Sequence, residues 1–111
     1  MQLIKSQFSR PLQDGDFSWM IERPEHARSL FIFNDNEAQF IAFHTGHALG
    51  FTAGGGNAAI RPYRGNSPIH AAGIPTGNGD GGFKKLDQNV RALVDDAIAH
   101  FQRLLATGNY D

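Results

Sequence analysis

The sequence predicts an α/β domain, a small mixed sheet with a long C-terminal helix packed on it. Three observations carry this. Ser29-Leu30-Phe31-Ile32-Phe33 is a short, continuous apolar run that stops at Asn34-Asp35-Asn36, the pattern of a strand buried on both faces. Val90, Leu93, Val94, Ala97, Ile98, Phe101, Leu104 and Leu105 recur at helical spacing. Eleven of the 13 glycines fall between Gly46 and Gly82, so the middle of the chain is loop-rich and the two ends carry most of the regular structure.

Taken in order, residues 3–8 alternate weakly, as a short strand does. Asp14-Gly15 is a two-residue turn pair. Beyond it Phe17, Trp19 and Ile21 alternate with Ser18, Met20 and Glu22. The expectation is a β-hairpin of residues 3–12 and 16–22, with Pro11 marking an edge. After a polar break at residues 22–26 comes the buried strand of residues 29–33. Asn34, Asp35 and Asn36 suit Asx turns and helix caps, and Asn36 with Gln39 fits a loose capping box. A helix over about 37–44 should bury Phe40, Ile41 and Phe43.

A second loop leads to Gly54-Gly55-Gly56. A short helix starting near Asn57 would point its first N–H groups outward, and Pro62 would end it or bend the chain away. Residues 69–75 read as a short buried strand ending at Pro75, and residues 78–82 as a turn. The last helix is the clearest element. Asp87 stands as N-cap and Gly108 where a C-cap glycine belongs. About 20 residues of helix span roughly 30 Å, enough for one face of a small domain.

The chain of 111 residues makes one domain, residues 1–111, with 41% hydrophobic residues for a single core. No apolar run approaches the 18–20 residues that span a bilayer, and the N-terminus lacks a signal-peptide pattern. Net charge is −1, without the basic footprint of a nucleic-acid surface. There is no cysteine, hence no disulfide, thiolate metal site or cysteine nucleophile. A cytoplasmic setting, no membrane and no nucleic-acid partner are expected. A small glycine-rich domain has little core, so a homo-oligomer is expected too.

The stretch Gly54-Gly55-Gly56-Asn57-Ala58-Ala59-Ile60-Arg61-Pro62-Tyr63-Arg64 carries most of the functional signal. Consecutive glycines weaken a fold unless the backbone needs positive φ or close approach to something. Exposed amides beside guanidinium groups make an anion site. This reads as the floor of a pocket for a phosphate-bearing small molecule. Arg61 and Arg64 are its phosphate candidates, because a planar fork matches phosphate oxygens. Asn34, Asp35 and Asn36, at a strand end, could read a ribose or base edge. Thr76 and Gly77 could add a hydroxyl and an amide, and Phe83 a stacking ring or a core plug. His44 and His47 lie three apart, but Gly46 breaks the helix between them and no third ligand is evident, so no metal is expected. No G-x-S-x-G elbow and no P-loop lysine is present. No catalytic residue can be named and no cofactor is implied.

Three pieces of the chain resemble an uncharacterised family of small phage and bacterial proteins. They are Leu30-Phe31-Ile32-Phe33-Asn34-Asp35-Asn36, the Gly54 to Pro62 stretch, and Ala72-Gly73-Ile74-Pro75-Thr76-Gly77 with Gly82-Phe83. The resemblance implies a further strand after Tyr110-Asp111, so this chain would be a short member or lack an edge element. Phe33-Asn34-Asp35-Asn36 and Gly54-Gly55-Gly56-Asn57-Ala58-Ala59-Ile60 are also similar to two pieces of macrodomains, which bind ADP-ribose and related nucleotides. That likeness implies a macrodomain-like pocket in which Asn36 faces the ribose and the amides of residues 54–56 face the phosphates. Asp35 replaces a small residue there, and Arg61 and Arg64 have no macrodomain counterpart, which suggests a more highly charged ligand.

Three functions follow as expectations. The first is a module that binds a phosphate-bearing nucleotide or ADP-ribose-like ligand, used on the phage resemblance as a sponge for a host nucleotide signal. The second is an ADP-ribosyl hydrolase or phosphoesterase in which Asp35 or Asp80 positions a water. The third is a protein–protein inhibitor with no small ligand.

Overall fold

Two parallel strands lie side by side at the centre of the computed structural model, which describes residues 3–78 and 82–111. β1 (Phe31–Asn36) pairs with β2 (Ala71–Gly77) from Phe31↔Ala71 to Asp35↔Pro75, with an irregularity before Asn36↔Gly77. Parallel pairing requires a crossover. It is supplied by α2 (Glu37–His44) and two 3-10 helices, Ala48–Phe51 and Gly56–Gly65. A four-residue helix α1 (Phe17–Met20) precedes β1, and α3 (Gln88–Leu105) follows β2. The architecture is α/β, with a C-terminal helix against a two-stranded parallel sheet. An isolated antiparallel bridge, Gly77↔Gly82, is the one further pairing among the described residues.

The expected N-terminal hairpin does not form. Residues 3–9 have no regular secondary structure and residues 17–20 are helical. Asp16 decides this. Its Oδ1 accepts from Ser18 N and its Oδ2 from Leu12 N, at 3.1 and 2.9 Å. That is an N-cap, and it precedes Phe17, Met20 and Ile21, which are also i, i+3, i+4. Met20 is buried, and Phe17 and Ile21 pack against the same cluster.

β1 begins two residues later than the apolar run and ends later as well. Asn34, Asp35 and Asn36 are strand residues, and Asn36 doubles as the N-cap of α2, accepting from Ala38 N at 2.9 Å. Gln39 does not close a capping box, because Asn36 N donates to Asp35 Oδ1 instead. In α2 Phe40 is buried and Phe43 half-buried, whereas Ile41 is 43% exposed.

Pro62 sits inside the 3-10 helix rather than ending it. β2 runs on past Pro75 through Thr76 to Gly77. In α3, Asp87 Oδ1 accepts from Val90 N at 2.9 Å, and Gly108 takes a left-handed φ of 78° just beyond the helix. The stripe predicted for α3 is only partly covered. Of its members only Ala97 is buried, Ile98 is 43% exposed, and the other buried residue of the helix is His100.

Alternation along β1 sorts its side chains. Phe31, Phe33 and Asp35 are buried, while Asn34 between them is exposed. The 3-10 helix Gly56–Gly65 covers the buried set, with Ile60 fully enclosed against Phe31, Phe33, Met20 and Ala71. Burying a phenylalanine or isoleucine contributes roughly 1.5–3 kcal/mol, so this cluster fixes the glycine loop relative to the sheet.

Candidate functional site

The carboxyl end of β1 is the meeting point of the chain. Asp35 has a fully buried side chain there, between the guanidinium groups of Arg61 and Arg64. Arg61 Nε donates to Asp35 Oδ1 at 2.9 Å, and Arg64 Nη1 to Oδ2 at 2.6 Å. The remaining donors tie in the crossover. Arg61 Nη1 donates to Thr52 O at 2.8 Å, Arg64 Nε to Gly50 O at 2.6 Å, and Arg64 Nη2 to Gln39 O at 2.9 Å. Phe33 lies under both guanidinium carbons, and Phe43 lies 4.5 Å from that of Arg64. Planar forks suit such packing, which a lysine would not reproduce. Burial pulls Arg64 below its usual pKa, and the bond to Asp35 opposes that pull.

Arg61 and Arg64 are therefore 4% and 2% exposed, not open forks on a pocket floor. Their spacing places both on the inner side of the 3-10 helix, where they neutralise Asp35. Two guanidiniums against one carboxylate leave a net charge of +1 beneath the glycine loop. Gly54 rests on this group. A Cβ there would stand 2.9 Å from Arg61 Nη1 and 3.0 Å from the Ala58 Cβ.

Above it the loop is closed by Gly54 N donating to Ala58 O and Ala58 N to Gly55 O, both at 3.1 Å. Among the described residues, the N–H groups of Gly55, Gly56 and Asn57 donate to no protein acceptor. Gly55 and Gly56 are both exposed, so their donors are open to solvent. Gly56 has φ 56°, which explains its glycine. Gly55 has an ordinary extended φ of −78°, and the space where a side chain would project is empty. Gly55 and Gly56 border a cavity of about 330 Å³ together with exposed Asn34, half-buried Asn57 and Ala58, and Ser6, Gln7 and Phe8 of the N-terminal segment. The Asn57 side chain is occupied in holding α1, accepting from Phe17 N at 2.9 Å.

The other sequence candidates lie elsewhere. Asn36 caps α2. Thr76 is exposed and Gly77 buried at the end of β2, and Thr76 O accepts from Phe83 N at 2.9 Å. Phe83 borders a second cavity of about 400 Å³, with Asn78, Lys84, Lys85, Glu37 and Asp87. Apart from Asn36, Thr76 and Gly77, which join none, the candidates fall into three groups. Asn34, Gly55, Gly56 and Asn57 share one cavity. Asp35, Arg61 and Arg64 form the buried ionic group beneath it, with Gly54 between. Phe83 belongs to the second cavity. Asp80 lies outside the described residues.

No protein-family model, curated protein or solved structure gives a significant match to this chain. The site is read from its own geometry.

Several contributors were not visible in the sequence reading. Ser6, Gln7 and Phe8 sit in what looked like a strand. Gly73 had a signal, since a glycine inside a strand marks close approach. His100 carried no signal of its own in the sequence, and its ring packs 5.2 Å from that of His44 and 5.7 Å from that of Phe43. Burial lowers the pKa of both histidines. That of His100 falls to about 4, with His44 and Arg103 adding to the effect, while Arg64 also lowers His44. Among the described residues no three His, Asp or Glu side chains gather to hold a metal ion, and no helix is long and apolar enough to cross a membrane.

Proposed function

We propose that this chain is a binding module for a phosphate-bearing nucleotide or ADP-ribose-like ligand, held in the cavity between Asn34 and the glycine loop. The observation that carries the reading is the run of unpaired N–H groups at Gly55, Gly56 and Asn57 above a buried group of net positive charge. Phosphate oxygens accept from such amides, and the buried positive charge beneath adds to the attraction. Asn34, exposed at the cavity wall, offers both a donor and an acceptor to a ribose or base edge. A cavity near 330 Å³ lies within the range of small-ligand sites. The arginines act here through their field and through the fold, and direct phosphate contact falls to the backbone.

Binding without turnover is the favoured form. Asp35, one of the two carboxylates that could position a water in a hydrolase, has both oxygens engaged by guanidiniums and one also by Asn36 N. A carboxylate so engaged is a poor base for a water. Sequestration of a nucleotide, the use expected of a sponge, needs only the contacts described.

The test is thermal unfolding against ADP-ribose, cyclic ADP-ribose isomers, NAD, ATP and cyclic di- and trinucleotides, with chromatography of each nucleotide after incubation. A ligand at 100 times its dissociation constant adds about 2.7 kcal/mol, a rise of roughly 10 °C for a domain of this size. A rise with the nucleotide recovered intact is the expected result. Product formation would replace the module with an enzyme. No rise with any member would remove the nucleotide reading and favour a protein inhibitor.

A further inference from the structure

We propose that residues 3–8 form a strap over the glycine-loop cavity and that Phe8 is the ring on which the ligand's aromatic base stacks. The proposal rests on the nucleotide reading and adds to it the placing of the base. Phe8 is the aromatic residue among those that line this cavity, whose wall also includes Asn34, Gly55 and Gly56. It is 40% exposed and takes no part in the core cluster of Phe31, Phe33 and Ile60. The cavity wall therefore brings together unpaired N–H groups, a side-chain amide and a partly exposed ring. Those three kinds of group suit the phosphate, the sugar and the base of a nucleotide. A planar base gains favourable contact with such a ring whatever its identity.

The segment is seated at one point and free beyond it. Gly15 has φ 100°, and a Cβ there would stand 2.1 Å from Gln7 O, so the absence of a side chain at 15 lets Gln7 settle beside the cavity. Upstream, Leu3 is 93% and Ile4 68% exposed, on backbone without regular secondary structure. Among the described residues little covers those two side chains. Closure of the segment over a bound base would bury them with Phe8.

Calorimetric titration of ADP-ribose, with inorganic pyrophosphate as the base-free control, tests this in wild type, Phe8→Ala and Phe8→Tyr. Loss of one stacked base corresponds to a weakening of about 5- to 150-fold. The expected result is that loss for ADP-ribose in Phe8→Ala, retention in Phe8→Tyr, and equal pyrophosphate affinity in all three. Tryptic cleavage after Lys5 should also slow when ADP-ribose is present. Phe8→Ala binding ADP-ribose as wild type does, or losing both compounds in equal proportion, would overturn the stacking role and leave the nucleotide reading standing. Failure of wild type to bind ADP-ribose would overturn both.

Discussion

Gly73 of β2 lies so close to Asp35 of β1 that a Cβ at position 73 would stand 2.3 Å from Asp35 Oδ2 and 2.8 Å from its Cγ. The carboxylate reaches both arginines because the neighbouring strand has no side chain at that point. Gly73→Ala must displace either the strand or the carboxylate. The expected loss is of the order of breaking a buried ion pair, about 3–5 kcal/mol, read from the midpoint of urea unfolding. A variant as stable as wild type would show that the strands can part there at no cost.

Asp35→Asn removes the one negative charge between two buried guanidiniums. The group then carries two uncompensated positive charges away from water, and a loss of about 3–5 kcal/mol is expected. Urea unfolding of the purified variant measures it. Arg61→Ala and Arg64→Ala should be similarly destabilising, so alanine at either arginine tests the fold before it tests any ligand.

Acid should loosen the packing of α3 on α2. His100 is 9% exposed, with a folded-state pKa of about 4, and an unfolded histidine titrates near 6.5. Between those values the unfolded state binds more protons, so stability is full above about pH 6.5 and falls as pH drops toward 4. The loss from His100 alone is up to about 3 kcal/mol, and His44, also lowered, adds in the same direction. Charges facing the pair are Arg64, Arg103, Asp96 and Asp35. Urea midpoints between pH 7 and pH 4.5 should fall in wild type and fall less in His100→Phe. Equal slopes would show that the acid sensitivity comes from other groups.

From β1 onward the fold was readable in the sequence because local rules and tertiary packing agree there. Asn36 and Asp87 cap their helices, and Gly108 stops the last one. The segment before β1 was misread because Phe17 to Ile21 satisfies two periods at once, and the buried cap at Asp16 selects the helical one. At the site, the loop and Asn34 were legible as exposed polar positions after a buried strand. The burial of Arg61 and Arg64 was not. A guanidinium three residues from another points either outward to a phosphate or inward to a carboxylate. Only the position of Asp35 on the inner face of β1 decides between them.

Two adjacent glycines separate fold from binding. Gly56→Ala places a side chain at φ 56° and should cost about 1–2 kcal/mol, with the loop distorted. Gly55→Ala has an allowed φ and open space, so its melting temperature should match or slightly exceed that of wild type. Thermal unfolding without ligand checks both. A large loss in Gly55→Ala would mean that this glycine serves the fold after all.

The most direct test of the central claim is the melting temperature of wild type and Gly55→Val across the nucleotide panel. The larger side chain fills the space above the unpaired amides without opposing the backbone. The account predicts that at least one nucleotide raises the melting temperature of wild type by roughly 10 °C and leaves that of Gly55→Val unmoved. An equal rise in both proteins, or none in either, would contradict it.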